Sequence, residues 1–190
     1  MICNGTTVTG KPCKLKALAG TRFCKKHQFS TIVVSVRCKA IGRDGNRCKH
    51  KTIRGELCWQ HLKKEKGLRI KKSDIPAAGM GLFAAKPFPE GAVVAPYTGD
   101  TIVSHDKKFG DNYTLQIKKR PPTYISARRS NTGEGRYAND KRGGRDNNNS
   151  DLLYNTRTRK AYLKATDDIA TGDEISTVYG NAYWRAVNRR

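Results

Sequence analysis

The cysteines of this 190-residue chain all lie in its first third, and their spacing repeats. No cysteine follows Cys58, and each cysteine-containing stretch ends in a Cys-x-x-His step. The two stretches align at offsets of 34 or 35 residues, which indicates a duplicated unit of about 35 residues. The aligned residues are Cys3, Cys13, Cys24 and His27 in the first unit, and Cys38, Cys48, Cys58 and His61 in the second.

Each unit offers three thiolates and one imidazole as ligands. Four such ligands suit a structural zinc ion, which prefers tetrahedral sulfur and nitrogen coordination. A unit this small has little apolar core, so metal binding would supply much of its folding energy. Glycine and lysine between the first two cysteines of each unit are typical of a turn between two short strands. We therefore predict two structural zinc ions.

Disulfide pairing in a secreted protein is the alternative use of six cysteines. It leaves the two histidines, which recur in register with the cysteines, without a role. The first residues also lack the charged start and apolar stretch of a secretion signal, and no apolar run approaches the roughly 20 residues that span a bilayer. We expect an intracellular protein with no membrane partner.

The charge of the chain is strongly positive and is concentrated near the N-terminus. Lys and Arg number 38 against 16 Asp and Glu, a formal net charge of +22, and residues 1–66 hold 16 basic and 3 acidic side chains, or +13. Such a surface attracts polyanions, and we expect contact with nucleosomal DNA through the basic N-terminal units. Docking of a protein and a merely solvated basic surface stay open as alternatives.

The sequence changes character after Gly67. Short apolar or alternating runs, separated by Gly, Pro, Asn and Asp, indicate a mostly-β domain. The runs cover residues 68–70, 92–97, 113–117, 123–126, 160–165 and 174–179, and the Gly- and Asn-rich stretch 143–149 predicts a loop. We divide the chain into a first zinc unit at residues 1–32, a second at 33–66 and the mostly-β domain at 67–190.

Six short motifs of the β domain, in order along the chain, resemble those of SET-domain protein-lysine methyltransferases. They are Ala78-Gly79-Met80-Gly81, Pro96-Tyr97-Thr98-Gly99-Asp100, Asp111-Asn112-Tyr113, Tyr124-Ile125-Ser126, Gly135-Arg136-Tyr137-Ala138-Asn139, and Thr171-Gly172-Asp173-Glu174 through Tyr179-Gly180. The resemblance implies a SET-domain fold of small β-sheets with a pseudoknot. It also implies methyl transfer from S-adenosylmethionine to a lysine side chain of a protein.

The resemblance also assigns site residues. Tyr179 is implied to be the leading catalytic residue, whose hydroxyl orients the amine near the transferring methyl, and Tyr113 and Tyr124 are implied to frame the lysine channel. The residues implied to hold S-adenosylmethionine are Gly79, Met80, Gly81, Tyr97, Arg136, Tyr137, Asn139, Tyr179 and Trp184, with the indole of Trp184 over the adenine.

The sequence departs from the family pattern at two places. Asp140 stands where most members have a histidine, and Thr177 and Val178 replace an aromatic and an acidic residue, so the number of methyl groups transferred stays open. The cysteines of a C-terminal zinc cap are also missing. Closure is then expected from the Tyr183-Trp184 tail, from a partner chain, as in a homodimer, or from the substrate.

The expected function is histone-lysine methylation, or methylation of another protein, by a chromatin-associated nuclear enzyme. The compact form is similar to SET proteins of large DNA viruses, for which the compartment would be the host nucleus. A catalytically silent SET fold that binds chromatin or nucleic acid is the alternative. The intact Tyr113, Tyr124 and Tyr179 favour the enzyme.

Overall fold

The computed structural model describes residues 1–3, 11–17, 24, 32–103, 113–142 and 147–188. Strands dominate this part of the chain, which confirms the predicted mostly-β class. The strands are β1 Val36–Arg37, β2 Lys51–Thr52, β3 Leu68–Lys72, β4 Met80–Ala84, β5 Val93–Tyr97, β6 Asp100–Val103, β7 Thr114–Lys119, β8 Pro122–Ser126, β9 Ser150–Asn155, β10 Lys160–Ala165 and β11 Glu174–Ile175.

The helical segments are short. Helix α1 spans Trp59–His61 and continues as a π-helical turn over Leu62–Lys66, a 3₁₀ turn covers Glu134–Tyr137, and α2 spans Asn181–Asn188. None of the described helices is long and apolar enough to cross a membrane.

The second cysteine unit is a hairpin followed by a helix. Strands β1 and β2 pair antiparallel, and the chain turns between Cys38 and Cys48 with Gly45 at φ +74°. That left-handed conformation suits glycine, which lacks the Cβ that would clash. Helix α1 begins directly after Cys58, and the π-helical turn that continues it ends at Gly67, which has φ +66°. The turn between the first two cysteines was predicted from the sequence.

Three further antiparallel sheets form the β domain. Their strand orders are β11-β4-β3, β5-β10-β9 and β6-β8-β7. Burial alternates along β10, where Ala161, Leu163 and Ala165 are buried and Lys160 and Lys164 are exposed. This period of two is typical of a strand with one face on the core.

The last strand lies between two distant segments of the chain. The Thr177 N–H donates to the Asn139 carbonyl at 2.8 Å, and the Ser150 hydroxyl donates to the Ser176 carbonyl at 2.7 Å. The Asn149 side chain accepts from the Ser176 N–H at 2.9 Å. These bonds join the chain around residues 139 and 150 to the closing strand, in keeping with the predicted pseudoknot. They also end β11 at Ile175, earlier than the strand predicted over 174–179, because Ser176 and Thr177 pair with these segments as single bridges.

The two cysteine units differ in how they are buried. Cys38 and Leu57 of the second unit belong to the same core cluster as Leu82, Leu163 and Ile175 of the β domain. The three cysteines of the first unit form a small cluster of their own. One hydrophobic core therefore crosses the predicted boundary between residues 66 and 67.

Candidate active site

A cleft of about 760 Å³ opens on the β domain and collects most of the predicted site residues. Much of its lining comes from three parts of the chain: the loop before β4, the 3₁₀ turn with the segment that follows it, and the region from the end of the closing strand into α2. The predicted residues among the lining are Gly79, Met80, Tyr113, Arg136, Tyr137, Asn139, Tyr179 and Trp184.

Two glycines lie at the start of β4, Gly79 just before the strand and Gly81 inside it, and glycine is favoured at each for a different physical reason. Gly79 adopts φ +78°, and a Cβ built there would meet nothing within 4 Å, so its conformation is what favours glycine. Gly81 lies within the strand, where an added Cβ would clash with the Glu174 carboxylate. The loop therefore leaves the backbone at Gly79 open toward the cleft, while Gly81 accommodates a buried charge beneath it.

Glu174 ties this loop to the opposite wall. Its carboxylate accepts from the Ser73 hydroxyl at 2.6 Å, from the Asp74 N–H at 2.8 Å and from the Asn139 amide at 3.2 Å. The Asn139 amide also donates to the Met80 carbonyl at 3.0 Å. Asn139 thus joins the glycine loop to the last strand, which fits its predicted place in the cofactor site.

Arg136 and Tyr137 occupy the 3₁₀ turn beneath the cleft. The Arg136 Nε donates to the Ala127 carbonyl at 2.7 Å, and its guanidinium lies 4.2 Å from the Tyr113 ring centroid and 4.8 Å from that of Tyr137. Burial raises the pKa of Tyr137, whose hydroxyl donates to the Ser130 carbonyl. These contacts fix the turn that carries the chain into Asn139.

Tyr179, the predicted catalytic residue, has its hydroxyl directed at the backbone. The hydroxyl donates to the Ala138 carbonyl at 2.9 Å, and Asn139 Oδ1 lies 3.4 Å away. Burial, with smaller contributions from the neighbouring Tyr183 and Tyr97, raises the pKa of Tyr179 well above its ordinary value. The phenol therefore stays protonated near neutral pH, and because its proton is engaged, its oxygen is free to accept a hydrogen bond from an amine.

The other predicted tyrosines separate into two groups. Tyr97 is buried and donates to the Tyr113 carbonyl at 2.6 Å, so it supports the cleft from behind without lining it. Tyr124 pairs with Gln116 on β7, and strand alternation turns it to the face opposite Leu115. The structure does not bring Tyr124 to the cleft with Tyr113 and Tyr179, and its channel role stays a prediction.

The Asp140 carboxylate accepts four hydrogen bonds. From the sequence this residue was notable only because it stands where most relatives have a histidine. One carboxylate oxygen accepts from the Tyr179 N–H and the Trp184 indole N–H, both at 2.9 Å. The other accepts from the Arg142 N–H at 2.8 Å and from the Asn148 amide at 3.2 Å. Burial alone would raise the pKa of Asp140, but these four donors outweigh it and hold the pKa below its ordinary value.

Helix α2 is fastened over the cleft through Trp184. The Arg142 guanidinium lies 4.0 Å from the indole centroid, and Tyr183 contacts the indole edge-on with centroids 5.0 Å apart. Tyr183 also meets Tyr179 at 4.7 Å. From the sequence, Tyr183 was assigned only to the closing tail and Arg142 had no role. The aromatic pair Tyr183-Trp184 was a local signal, whereas Arg142 lies 42 residues from Trp184 in sequence and meets it only in the folded chain.

The second cysteine unit brings its four predicted ligands together. The three sulfur atoms and one His61 ring nitrogen lie within 4.8 Å of one another, and none of the six cysteines of the chain forms a disulfide. Burial would raise the pKa of Cys38, but backbone N–H groups including that of Cys58 outweigh it and lower the pKa. Burial raises the pKa of the neighbouring Cys58 thiol, so the fit to zinc rests on the convergence of three sulfur atoms and one imidazole nitrogen.

The first cysteine unit shows the same convergence for its sulfur atoms. Cys3, Cys13 and Cys24 meet in one buried group, with 3.9 Å between the sulfurs of Cys13 and Cys24. Tetrahedral zinc with bonds of about 2.3 Å to sulfur separates its ligands by roughly 3.8 Å. His27, the predicted fourth ligand, lies outside the described residues.

Three residues of the second cysteine unit also line the cleft: Val33, Ile53 and Arg54. They were not predicted as site residues, because residues 33–66 were expected to form a separate zinc unit. No motif marks them, and only the folded chain brings them to the cleft.

The fold of the chain is similar to that of a solved methyltransferase domain. The chain matches the methyltransferase domain of human PR domain-containing protein 2 with a TM-score of 0.51 and 23% identity, over 64% of this chain and 84% of that one. A second solved structure, ctPRC2 in an autoinhibited conformation bound to S-adenosylmethionine, is 28% identical with a TM-score of 0.48, over 65% of this chain and 17% of that one. No curated protein sequence gives a significant match.

The family model of the SET domain matches residues 79–180, which is more than half of the chain. The matched range begins at the glycine loop, includes Asn139 and ends immediately after Tyr179, so it covers most of the cleft described above. The chain therefore belongs to the SET domain family.

Proposed function

We propose that the protein is an S-adenosylmethionine-dependent protein-lysine N-methyltransferase. The observation that carries the proposal is the Tyr179 hydroxyl, bound to the Ala138 carbonyl at the meeting point of the glycine loop, Asn139 and the C-terminal aromatic residues. SET-domain proteins are generally protein-lysine methyltransferases, and this arrangement retains the residues that such chemistry needs.

The cleft fits the cofactor in volume and in chemistry. Its volume of about 760 Å³ lies within the range typical of small-molecule sites. Gly79 leaves backbone groups open to the ligand, Asn139 is held in place beside them, and the Tyr179 and Trp184 rings, with centroids 6.1 Å apart, add aromatic surface to the lining. When bound, S-adenosylmethionine supplies an electrophilic methyl group on a sulfonium sulfur.

Tyr179 would orient the substrate amine. Its oxygen accepts from the amine N–H and aims the nitrogen lone pair, since in-line displacement requires alignment of donor and acceptor. Because the raised pKa keeps the phenol protonated near neutral pH, Tyr179 would not act as the base. The amine, with a pKa of about 10.4 in water, would lose its proton to solvent before it attacks. Tyr113 would wall the passage, with its ring held against Arg136.

The direct test is transfer of labelled methyl from S-adenosylmethionine to core histones and to nucleosomes. Tyr179→Phe should lower the rate about 100-fold, the size expected when one oriented hydrogen bond at a reacting centre is lost. Tyr162→Phe, on the half-buried face of β10, is the matched control and should keep the parent rate. In the parent the rate should rise from pH 7 to 9 as the lysine deprotonates.

The substrate we favour is a histone tail on a nucleosome. The 38 basic side chains, 16 of them in the first 66 residues, support docking on nucleosomal DNA by phosphate contact. DNA affinity should then fall steeply as salt rises. Docking on a protein through the cysteine units is the competing role. An affinity for DNA that does not change as salt is raised would favour that role.

We propose one zinc ion at each cysteine unit, because both donor sets suit tetrahedral zinc. Metal analysis of the purified chain should give two zinc ions per chain. A chain that binds S-adenosylmethionine yet methylates no lysine in histones, nucleosomes or peptide libraries would contradict the enzyme and favour a silent binding module.

A further inference from the structure

One wall of the cleft comes from outside the β domain. Val33 and Ile53 of the second cysteine unit line the cleft together with Gly79 and Tyr179, and both apolar side chains are nearly half exposed, at 45% and 46%. Apolar side chains that face a cleft are typical of ligand contact. The unit therefore adds ligand-facing surface beside the family's own residues.

This wall is attached to the β domain through Ser130. The Gly55 N–H donates to the Ser130 carbonyl at 2.8 Å, and the Val34 N–H donates to its hydroxyl at 2.8 Å. The Ser130 N–H in turn donates to the Ile32 carbonyl at 2.9 Å. Ser130 itself lines the cleft, so these bonds hold the wall directly at the site.

A buried ion pair makes a second attachment. Lys66, in the helical turn that follows His61, donates to both oxygens of Glu134 at 2.8 Å. The Glu134 side chain is 2% exposed, and it begins the 3₁₀ turn that contains Arg136 and leads to Asn139. A continuous path therefore runs from a metal ligand to the turn beneath the cleft.

Arg54 is the cation of this wall. Within the described residues its guanidinium makes no ion pair, whereas Arg136 is bonded to the Ala127 carbonyl and Arg142 lies over the Trp184 ring. An arginine beside a ligand cleft is suited to bind a carboxylate through its fork of N–H donors. The cofactor of the proposed reaction carries one carboxylate.

We propose that the second cysteine unit is part of the cofactor site: its metal holds residues 52–57 so that Ile53 contacts bound S-adenosylmethionine and Arg54 pairs with the cofactor's carboxylate. The proposal rests on the function proposed above. It makes the second metal, and not the first, a requirement for cofactor binding.

Calorimetric titration of the zinc-loaded full chain with S-adenosylhomocysteine tests the contact. Arg54→Ala should weaken binding about tenfold, the loss expected for one charge-assisted contact, while Arg43→Ala, an exposed arginine in the turn of the same unit, should bind like the parent. With 5′-methylthioadenosine, which lacks the carboxylate, Arg54→Ala and the parent should bind equally. Equal affinity of Arg54→Ala and the parent for S-adenosylhomocysteine would overturn the contact.

The requirement for the second metal can be tested by comparing aligned ligand substitutions in the two cysteine units. Cys48→Ser and the aligned Cys13→Ser should each lose one zinc ion per chain, and only Cys48→Ser should weaken binding of S-adenosylhomocysteine. Cys48→Ser could also destabilise the core that the unit shares with the β domain, so a second variant is needed. Ile53→Ser keeps all four metal ligands and should also weaken binding of S-adenosylhomocysteine. Equal losses in the two cysteine variants would overturn the proposal. A parent that binds no S-adenosylhomocysteine would instead refute the function on which the proposal rests.

Discussion

The two cysteine units have the same ligand pattern but different structural surroundings. In the second unit, Cys38, Leu57 and Leu62 are buried in the same core as Leu82 and Ile175 of the β domain. In the first unit, the described cysteines cluster only with one another. The duplicated sequence therefore predicts the metal site equally well in both units, whereas the surroundings decide whether a metal supports the cleft of the β domain.

The largest difference between the two units is expected when one metal-binding cysteine is removed. Cys58→Ser should lower the unfolding temperature of the β domain by at least about 10 °C, because structural zinc contributes several kcal/mol and each kcal/mol moves the midpoint by about 2–4 °C in a chain of this size. The aligned Cys24→Ser should leave that transition within about 2 °C of the parent. Scanning calorimetry measures both, and equal shifts would contradict the shared core.

Breaking the ion pair between the second unit and the β domain should give the next largest loss of stability. Lys66→Met leaves the Glu134 carboxylate buried without its cation, at a cost of about 3 kcal/mol, the lower end for a broken buried pair because Lys66 is 34% exposed. Lys64→Met, on the exposed side of the same turn, is the control and should change stability by less than about 0.5 kcal/mol. Urea unfolding at pH 7 compares them, and similar losses in both would show that the pair carries no coupling.

Asp140 stabilises the opposite wall of the cleft by hydrogen bonds, without a metal, and so provides a contrast with the second cysteine unit. Asp140→Asn should cost about 2 kcal/mol at pH 7, since two of the four donors then face an amide. The Asp140 pKa is lowered in the folded chain, so its contribution is complete above about pH 4 and is lost as pH falls through the folded value. The difference in unfolding free energy between the parent and Asp140→Asn should therefore narrow in urea unfolding as the pH is lowered below about 4, and a difference that does not narrow would contradict this role.

The smallest loss of stability is expected when alanine replaces either of two glycines of the second unit that have nearly equal φ angles. Gly55 lies at φ +75° and Gly45 at φ +74°, so alanine at either position costs about 1 kcal/mol of strain. An added Cβ at Gly55 lies 3.3 Å from Glu134, whereas at Gly45 it meets nothing within 4 Å. Gly55→Ala should therefore lose more stability and also weaken binding of S-adenosylhomocysteine, while Gly45→Ala should lose only the strain. Equal binding by both would place the wall outside the cofactor site.

Much of the fold could be predicted because its signals are local. The apolar and alternating runs predicted β3, β5, β7, β8 and β10 within a few residues. Strand β4 was not predicted, because the glycines Gly79 and Gly81 are typical of a turn, and the distant Glu174 carboxylate explains the glycine inside the strand. Strand β9 was missed because its polar residues hide the alternation.

The candidate site was predictable only where family motifs mark it. Tyr179, Asn139 and the glycine loop meet in the cleft as the motifs suggested. Asp140 was visible only as a missing histidine, since its four donors come from segments up to 44 residues away in sequence. Arg54 had no signal at all, because its position depends on a metal-binding unit folding onto another domain.

The most direct test of the shared cofactor site is hydrogen exchange of the zinc-loaded chain with and without S-adenosylhomocysteine. The account predicts slower exchange on binding in residues 52–57 of the second unit, together with the glycine loop at 77–82, and no change around Cys13 in the first unit. Protection of the glycine loop alone, with residues 52–57 exchanging as they do in the free chain, would contradict it.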